Sequence, residues 1–327
     1  MKNLFLSIIT ISAVFILGCT QGGSNASSSM NTPDAEHHGA NHAHQSDSKN
    51  EEAKAVFASA TSNQFNEYWY AGKAEICSYD YTINRYDESR TGYGVFIFVT
   101  EDLSKSKQVK LDDPAKAGDD RVPVLKLNAI QRFQTGIYDY SLMSSLFTPV
   151  DVQKFPHSLK ATTTVQDWCG HVFTQMNLKG KGYHVSSYSY FEMEGDKQSD
   201  TQGEAMLEDE VFTRLRINPA SLPKGVTKMI PNLTYTRLRH KPIAAQNAVI
   251  DIKDGQAGLK TCVVTYPDIK RRLEVSFEAA FPYKIMSFTE YDGDKKMSEA
   301  KLKKSVMSDY WAKHDLKSDP LRKDLGL

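Results

Sequence analysis

Residues 162–177, TTTVQDWCGHVFTQMN, set Trp168, Cys169, Gly170 and His171 side by side. A thiol next to an imidazole is the pair that a cysteine-dependent hydrolase or transferase needs, with a carboxylate such as Asp167 or Glu192 to orient the base. On a strand, Cys169 and His171 share a face ~6 to 7 Å apart at a rise of ~3.3 Å per residue. That is too far for a direct hydrogen bond unless Gly170 folds the chain back. The spacing favours a structural bulge, with Trp168 packed in the core and His171 hydrogen-bonded, over a catalytic pair. Cys169 and His171 are the only catalytic candidates, and no catalytic role is assigned to them.

A second cluster is His37, His38, His42 and His44, four of the nine histidines in the chain. Imidazoles at short spacing can capture Zn, Cu or Ni ions, the chemistry of a metal buffer. No cysteine or carboxylate-rich motif accompanies them, so a solvated polar tether is preferred and no cofactor is assigned; Zn or Cu on the tether is the alternative. Setting Cys19 aside, Cys77, Cys169 and Cys262 are an odd number. They read as three unpaired cysteines, each buried in a strand as a small hydrophobe, with one disulfide and a leftover thiol as the alternative. The aromatic run YWYAGKAE (68–75), with Tyr79, Tyr81 and Tyr86, suits either a ligand pocket or the half-buried side of a strand.

The chain opens MKNLFLSIITISAVFILGC, with Lys2, an apolar run from Leu4 to Leu17, then Gly18 and Cys19. The run is shorter than the ~20 residues that cross a bilayer, so residues 1–18 read as a signal peptide. The ending Ile16-Leu17-Gly18-Cys19 resembles the lipobox of bacterial lipoproteins. That resemblance implies that Cys19 is acylated and becomes the first residue of an anchored, non-spanning protein. No aspartate follows Cys19 and residues 20–25 carry no acidic cluster, so an outer-membrane, periplasm-facing location is expected. Residues 19–62 are rich in Gly, Ser, Asn and Ala and nearly free of large apolar side chains, which reads as a flexible tether.

Residues 63–327 then form a single periplasmic domain. Its 40 basic residues balance 40 acidic ones, which argues against a nucleic-acid binder. Runs rich in Val, Ile, Thr, Tyr and Phe predict strands at 92–102, 121–133, 136–147, 159–168 and 182–194, and again at 232–240, 245–255, 259–268, 271–281 and 283–293. Two helices are expected. One is at 203–216, with Leu207, Val211 and Leu215 on a stripe and Pro219 as stop. The other is C-terminal, with Leu302, Val306 and Tyr310 aligned and Lys301, Lys303 and Lys304 on its wet face. The fold class is mainly β, a β-rich α+β chain: an antiparallel open or half β-barrel with one internal helix and a C-terminal helix. This element order looks like that of the Lol-type periplasmic lipid carriers.

The stretches NEYWYAGKAEICSYDYTINRYDESRTGYGVFIFVTED, VLKLNAIQRFQTGIYDYSLMSSLFTPVD, WCGHVFTQMN, SYFEMEGD and LEDEVFTRLRINPASLP resemble a family of Bacteroidota lipoproteins labelled "septum formation inhibitor Maf". The resemblance runs from Phe65 to about Tyr291 and implies lipoprotein status. The Ser-Pro-Arg-Arg motif of the cytoplasmic Maf pyrophosphatases does not occur, so no nucleotide is expected. The expected function is a non-enzymatic, outer-membrane-anchored lipoprotein that binds an amphipathic ligand or a cell-envelope partner. A Cys169/His171 enzyme and a His37–His44 metal buffer are the alternatives.

Overall fold

The computed structural model describes residues 63–201, 203–256 and 258–327. The signal peptide, Cys19, the tether and its histidines lie outside the described residues. A helix at 63–69 (α1) leads into β1 (Ala74–Arg85), β2 (Glu88–Ser104), β3 (Arg121–Thr135), β4 (Tyr138–Pro149), β5 (Lys160–Gln166), β6 (His171–Lys179), β7 (Gly182–Ser189) and β8 (Lys197–Asp200). After β9 (Met206–Leu207), α2 (Glu210–Ile217), β10 (Gly225–Ile230) and α3 (Leu233–Leu238) come β11 (Gln246–Asp254), β12 (Leu259–Tyr266), β13 (Arg271–Glu278), β14 (Ile285–Asp292) and β15 (Lys295–Ser308).

These strands make one sheet in the order β8-β7-β6-β5-β4-β3-β2-β1-β15-β14-β13-β12-β11-β10-β9. Two meanders are therefore joined where β1 pairs with β15, and every pairing is antiparallel except β9 with β10. The expected meander is observed, and the protein is mainly β with a large open sheet. Strands such as β5 and β13 bury every second residue, as the two-residue period of a one-faced sheet requires. A single core takes side chains from both meanders, including Phe98, Leu142, Met176, Val264 and Phe277, and from α2 and α3. The sheet thus curls around the helices. All eight residues of α2 are buried, so it is an internal helix rather than an amphipathic surface one. Withdrawing each large apolar side chain from water contributes roughly 1.5–3 kcal/mol.

Several sequence expectations need correction. The segment expected as a C-terminal helix is mostly β15, followed by a 3-10 turn at Tyr310–Ala312; a longer 3-10 segment at Leu316–Leu325 covers the outer face of β1 and β2. A bulge explains the misleading spacing. The register with β1 pairs Leu302 with Tyr79 and Lys304 with Ser78, leaving Lys303 as an extra residue. Leu302 therefore joins the inner core while Val306 packs on the outer face. Residues 232–240, expected as a strand, form α3, whose N-cap Asn232 accepts the backbone N–H of Thr234 and Tyr235. The helix expected from 203 starts only at Glu210, after β9 has paired with β10. The aromatic run at 68 is the end of α1, where Trp69 is buried against Phe98.

Candidate functional site

Consecutive hairpins put the β1–β2, β3–β4, β5–β6 and β7–β8 turns at one rim of the sheet, together with the segment that follows α3. An open groove of about 410 Å³ lies at this rim. Its floor is Val172 and Thr174 of β6 with Val185 and Ser187 of β7. Its walls are Met193 and Glu194 from the β7–β8 turn and Thr236, Arg237, His240 and Lys241 from α3 and beyond. The Val residues face inward because the alternation of β6 and β7 places 172 and 185 on the core side.

Arg237 is the unusual member. Its side chain is nine-tenths buried, its guanidinium lies 4.3 Å over the Phe191 ring, and its Nε and Nη1 have no hydrogen-bond partner among the described residues. Its nearest carboxylate oxygen, Glu194 Oε1, is 3.6 Å from Nη1, beyond hydrogen-bond reach. Glu194 instead accepts the Ser189 hydroxyl at 2.6 Å and pairs with His240 Nδ1 at 2.6 Å. Burial pushes the Glu194 carboxyl up, but the Ser189 and His240 hydrogen bonds and the Arg237 charge outweigh it and hold the group below its ordinary value. The groove therefore offers the apolar side chains of Val172 and Val185 in its floor beside cationic donors, one of them short of acceptors. An amphipathic anion is the complementary solute.

Behind the groove, buried charges fix the helices. Three successive acids, Glu208, Asp209 and Glu210, are all buried, and each has its own partner. Glu208 pairs with Arg271 of β13, which also reaches Glu290 of β14. Glu210 pairs with Arg214 one turn later. Asp209 accepts Asn232 Nδ2 at 2.8 Å and the Leu233 N–H at 3.3 Å. Burial and the neighbouring Glu208 push the Asp209 carboxyl up to about 7. Two small cavities beside these groups, about 40 and 30 Å³, have room for water but not for an organic ligand.

The quartet at 168–171 closes the β5–β6 hairpin. Asp167 Oδ1 accepts the backbone N–H of Cys169 and of Gly170, and the Asp167 N–H bonds the Gly170 carbonyl. Trp168 is exposed, which corrects the expected core packing, and His171 is exposed, its imidazole making no hydrogen bond among the described residues. Asp167 is occupied by the turn, Glu192 is exposed, and no hydrogen bond joins Cys169 to His171 among the described residues. Cys77, Cys169 and Cys262 are all unpaired. Cys77 and Cys262 are buried in strands, but Cys169 is exposed, contrary to its expected burial. Among the described residues no group of three His, Cys, Asp or Glu side chains is placed to hold a metal ion.

Sequence reading missed Arg237, His240, Glu194 and Met193. The Asn232 cap was the one local signal that residues 233–240 form a helix and a turn rather than a strand.

No protein-family model matches the chain, and no curated protein matches it. Among solved structures it is similar to the crystal structure of a beta-barrel-like protein of the domain of unknown function DUF1849 from Brucella abortus. The TM-score is 0.43 and the identity 10%, over 72% of this chain and 98% of that one.

Proposed function

We propose that this protein is a non-enzymatic binding protein of the cell envelope, lipid-anchored through Cys19 on the periplasmic side of the outer membrane, that holds an amphipathic anion in the rim groove. The observation that carries the reading is Arg237: a nearly buried guanidinium with two nitrogens unpaired among the described residues, beside Val172 and Val185 of the floor. A buried charged donor without an acceptor is costly, and a ligand acid group would satisfy it. The anchor rests on the lipobox-like Ile16-Leu17-Gly18-Cys19.

The test is native mass spectrometry of the full chain, extracted from its own membrane in mild detergent and then denatured. A co-purifying acidic lipid-sized mass, with acyl increments on a chain beginning at Cys19, supports the reading. A ligand-free mass that also fails to bind added dodecanoate overturns the groove assignment, and an unmodified Cys19 overturns the anchor.

A further inference from the structure

The rim carries a second feature that shares only Met193 with the groove. Its hairpin tips present Ile137, 84% exposed, Trp168, 68% exposed, and Met193, 91% exposed, together with the half-exposed Tyr86 and Tyr190. These residues come from four separate turns, yet contacts join the aromatic ones into one band. The Tyr86 hydroxyl meets those of Tyr138 and Tyr140 at 3.2 and 2.9 Å. The Tyr138 ring lies 6.4 Å from the Trp168 indole. Tyr190 lies flat against Gly170, so close that a Cβ there would sit 2.4 Å from its ring, and it contacts Phe191 at 4.2 Å between ring centres. Gly170 in the quartet thus has a structural use: its missing Cβ leaves room for the Tyr190 ring against the β5–β6 turn.

We propose that this aromatic rim docks on the interface of a phospholipid bilayer. Large contiguous apolar patches on a protein surface mark interaction sites, membrane surfaces among them. Tryptophan and tyrosine, with an apolar body and a polar tip, are the residues enriched at the headgroup boundary, and Ile137 and Met193 stand beyond them as purely apolar tips. Lys197, whose ammonium donates to the Met193 carbonyl at 3.0 Å, and Lys241 in the groove wall are exposed cations beside the Met193 tip, where long side chains meet phosphates. A protein partner that extends the sheet would use the edge strands β8 or β9, not the tips of closed hairpins. The groove opens at the same rim, so docking would bring its floor to the source of an amphipathic ligand. The docking itself does not depend on that ligand.

The test uses the full chain in phosphatidylcholine vesicles whose acyl chains carry bromine, a short-range quencher of indole emission. Trp69 is buried and Trp311 is remote on the C-terminal segment, so a Trp311→Phe chain reports on Trp168 once a Trp168→Phe/Trp311→Phe chain is subtracted. The expected result is loss of at least half of the Trp168 emission relative to unbrominated vesicles. Ile137→Ser with Met193→Ser should restore at least half of that loss, while circular dichroism stays unchanged. Trp168 emission that is equal in both kinds of vesicle, whether or not the chain floats with them, overturns the proposal and leaves the rim to a protein partner.

Discussion

Glu75 of β1 and Arg216 of α2, 141 residues apart, meet as a bidentate pair at 2.5 and 2.7 Å with both side chains fully buried. Tyr68 donates to the same carboxylate and the Arg216 guanidinium stacks 4.9 Å over Phe98, so this pair ties α1, β1, β2 and α2 together. Breaking it on one side leaves a buried charge uncompensated. Glu75→Gln is therefore expected to lose about 3–5 kcal/mol in urea denaturation. Glu75→Gln combined with Arg216→Met should recover much of that loss. A double variant as unstable as the single would show that the pair matters through packing alone.

Acid and base should each weaken the fold, for opposite reasons. Burial raises the Glu75 carboxyl, but Arg216 overrides it and holds the group at about 2, against an ordinary 4.5. A folded value below the unfolded one contributes stability above pH 4.5 that is lost as pH falls toward 2. Asp209 runs the other way, pushed up to about 7 from an ordinary 3.8. Its contribution is complete below pH 3.8 and is lost as pH rises through 7. On these two groups the thermal midpoint should peak between about pH 3.8 and 4.5, where the Glu75 gain ends and the Asp209 loss begins, and fall on both sides. A midpoint that climbs steadily to pH 8 would contradict the Asp209 assignment.

Arg237→Met should separate binding from stability. The guanidinium leaves two buried nitrogens unpaired among the described residues, so its removal is expected to leave the urea midpoint unchanged or higher. Dodecanoate binding, read by titration calorimetry, should weaken at least tenfold, about 1.4 kcal/mol. Equal affinity in the two chains would remove Arg237 from the site.

The three described thiols should differ sharply toward a disulfide reagent. Burial pushes Cys77 and Cys262 up to about 12, so neither supplies thiolate near neutral pH, whereas Cys169 is exposed at a hairpin tip. The native chain is expected to react at Cys169 within minutes and at the other two only after unfolding. Cys169→Ser should abolish the fast phase.

Much of the β architecture was legible because its signals are local. The alternation of Leu273, Val275 and Phe277 with Glu274 and Ser276 states which face of β13 is buried whatever its neighbours are. Pro219 ends α2 in the sequence as it does in space. The Lys-rich stretch of β15 was not legible, since bulged residues at Met297 and Lys303 interrupt its two-residue period and leave a spacing that mimics a helix. Trp168 was misread for a related reason. A large aromatic residue reads as core unless one knows that Asp167 caps a turn there and pushes the indole to the tip.

Composition, periodicity and turn residues determined that the chain folds as an antiparallel, strand-rich meander, because each acts over a few residues. The partners of Glu75, Glu208 and Arg237, and the assembly of Tyr86, Trp168, Tyr190 and Met193 on one rim, were decided only by the tertiary structure. The charge pairings join residues as far as 141 positions apart, and no local pattern encodes which charges a curled sheet will enclose together or which hairpin tips it will bring to one end.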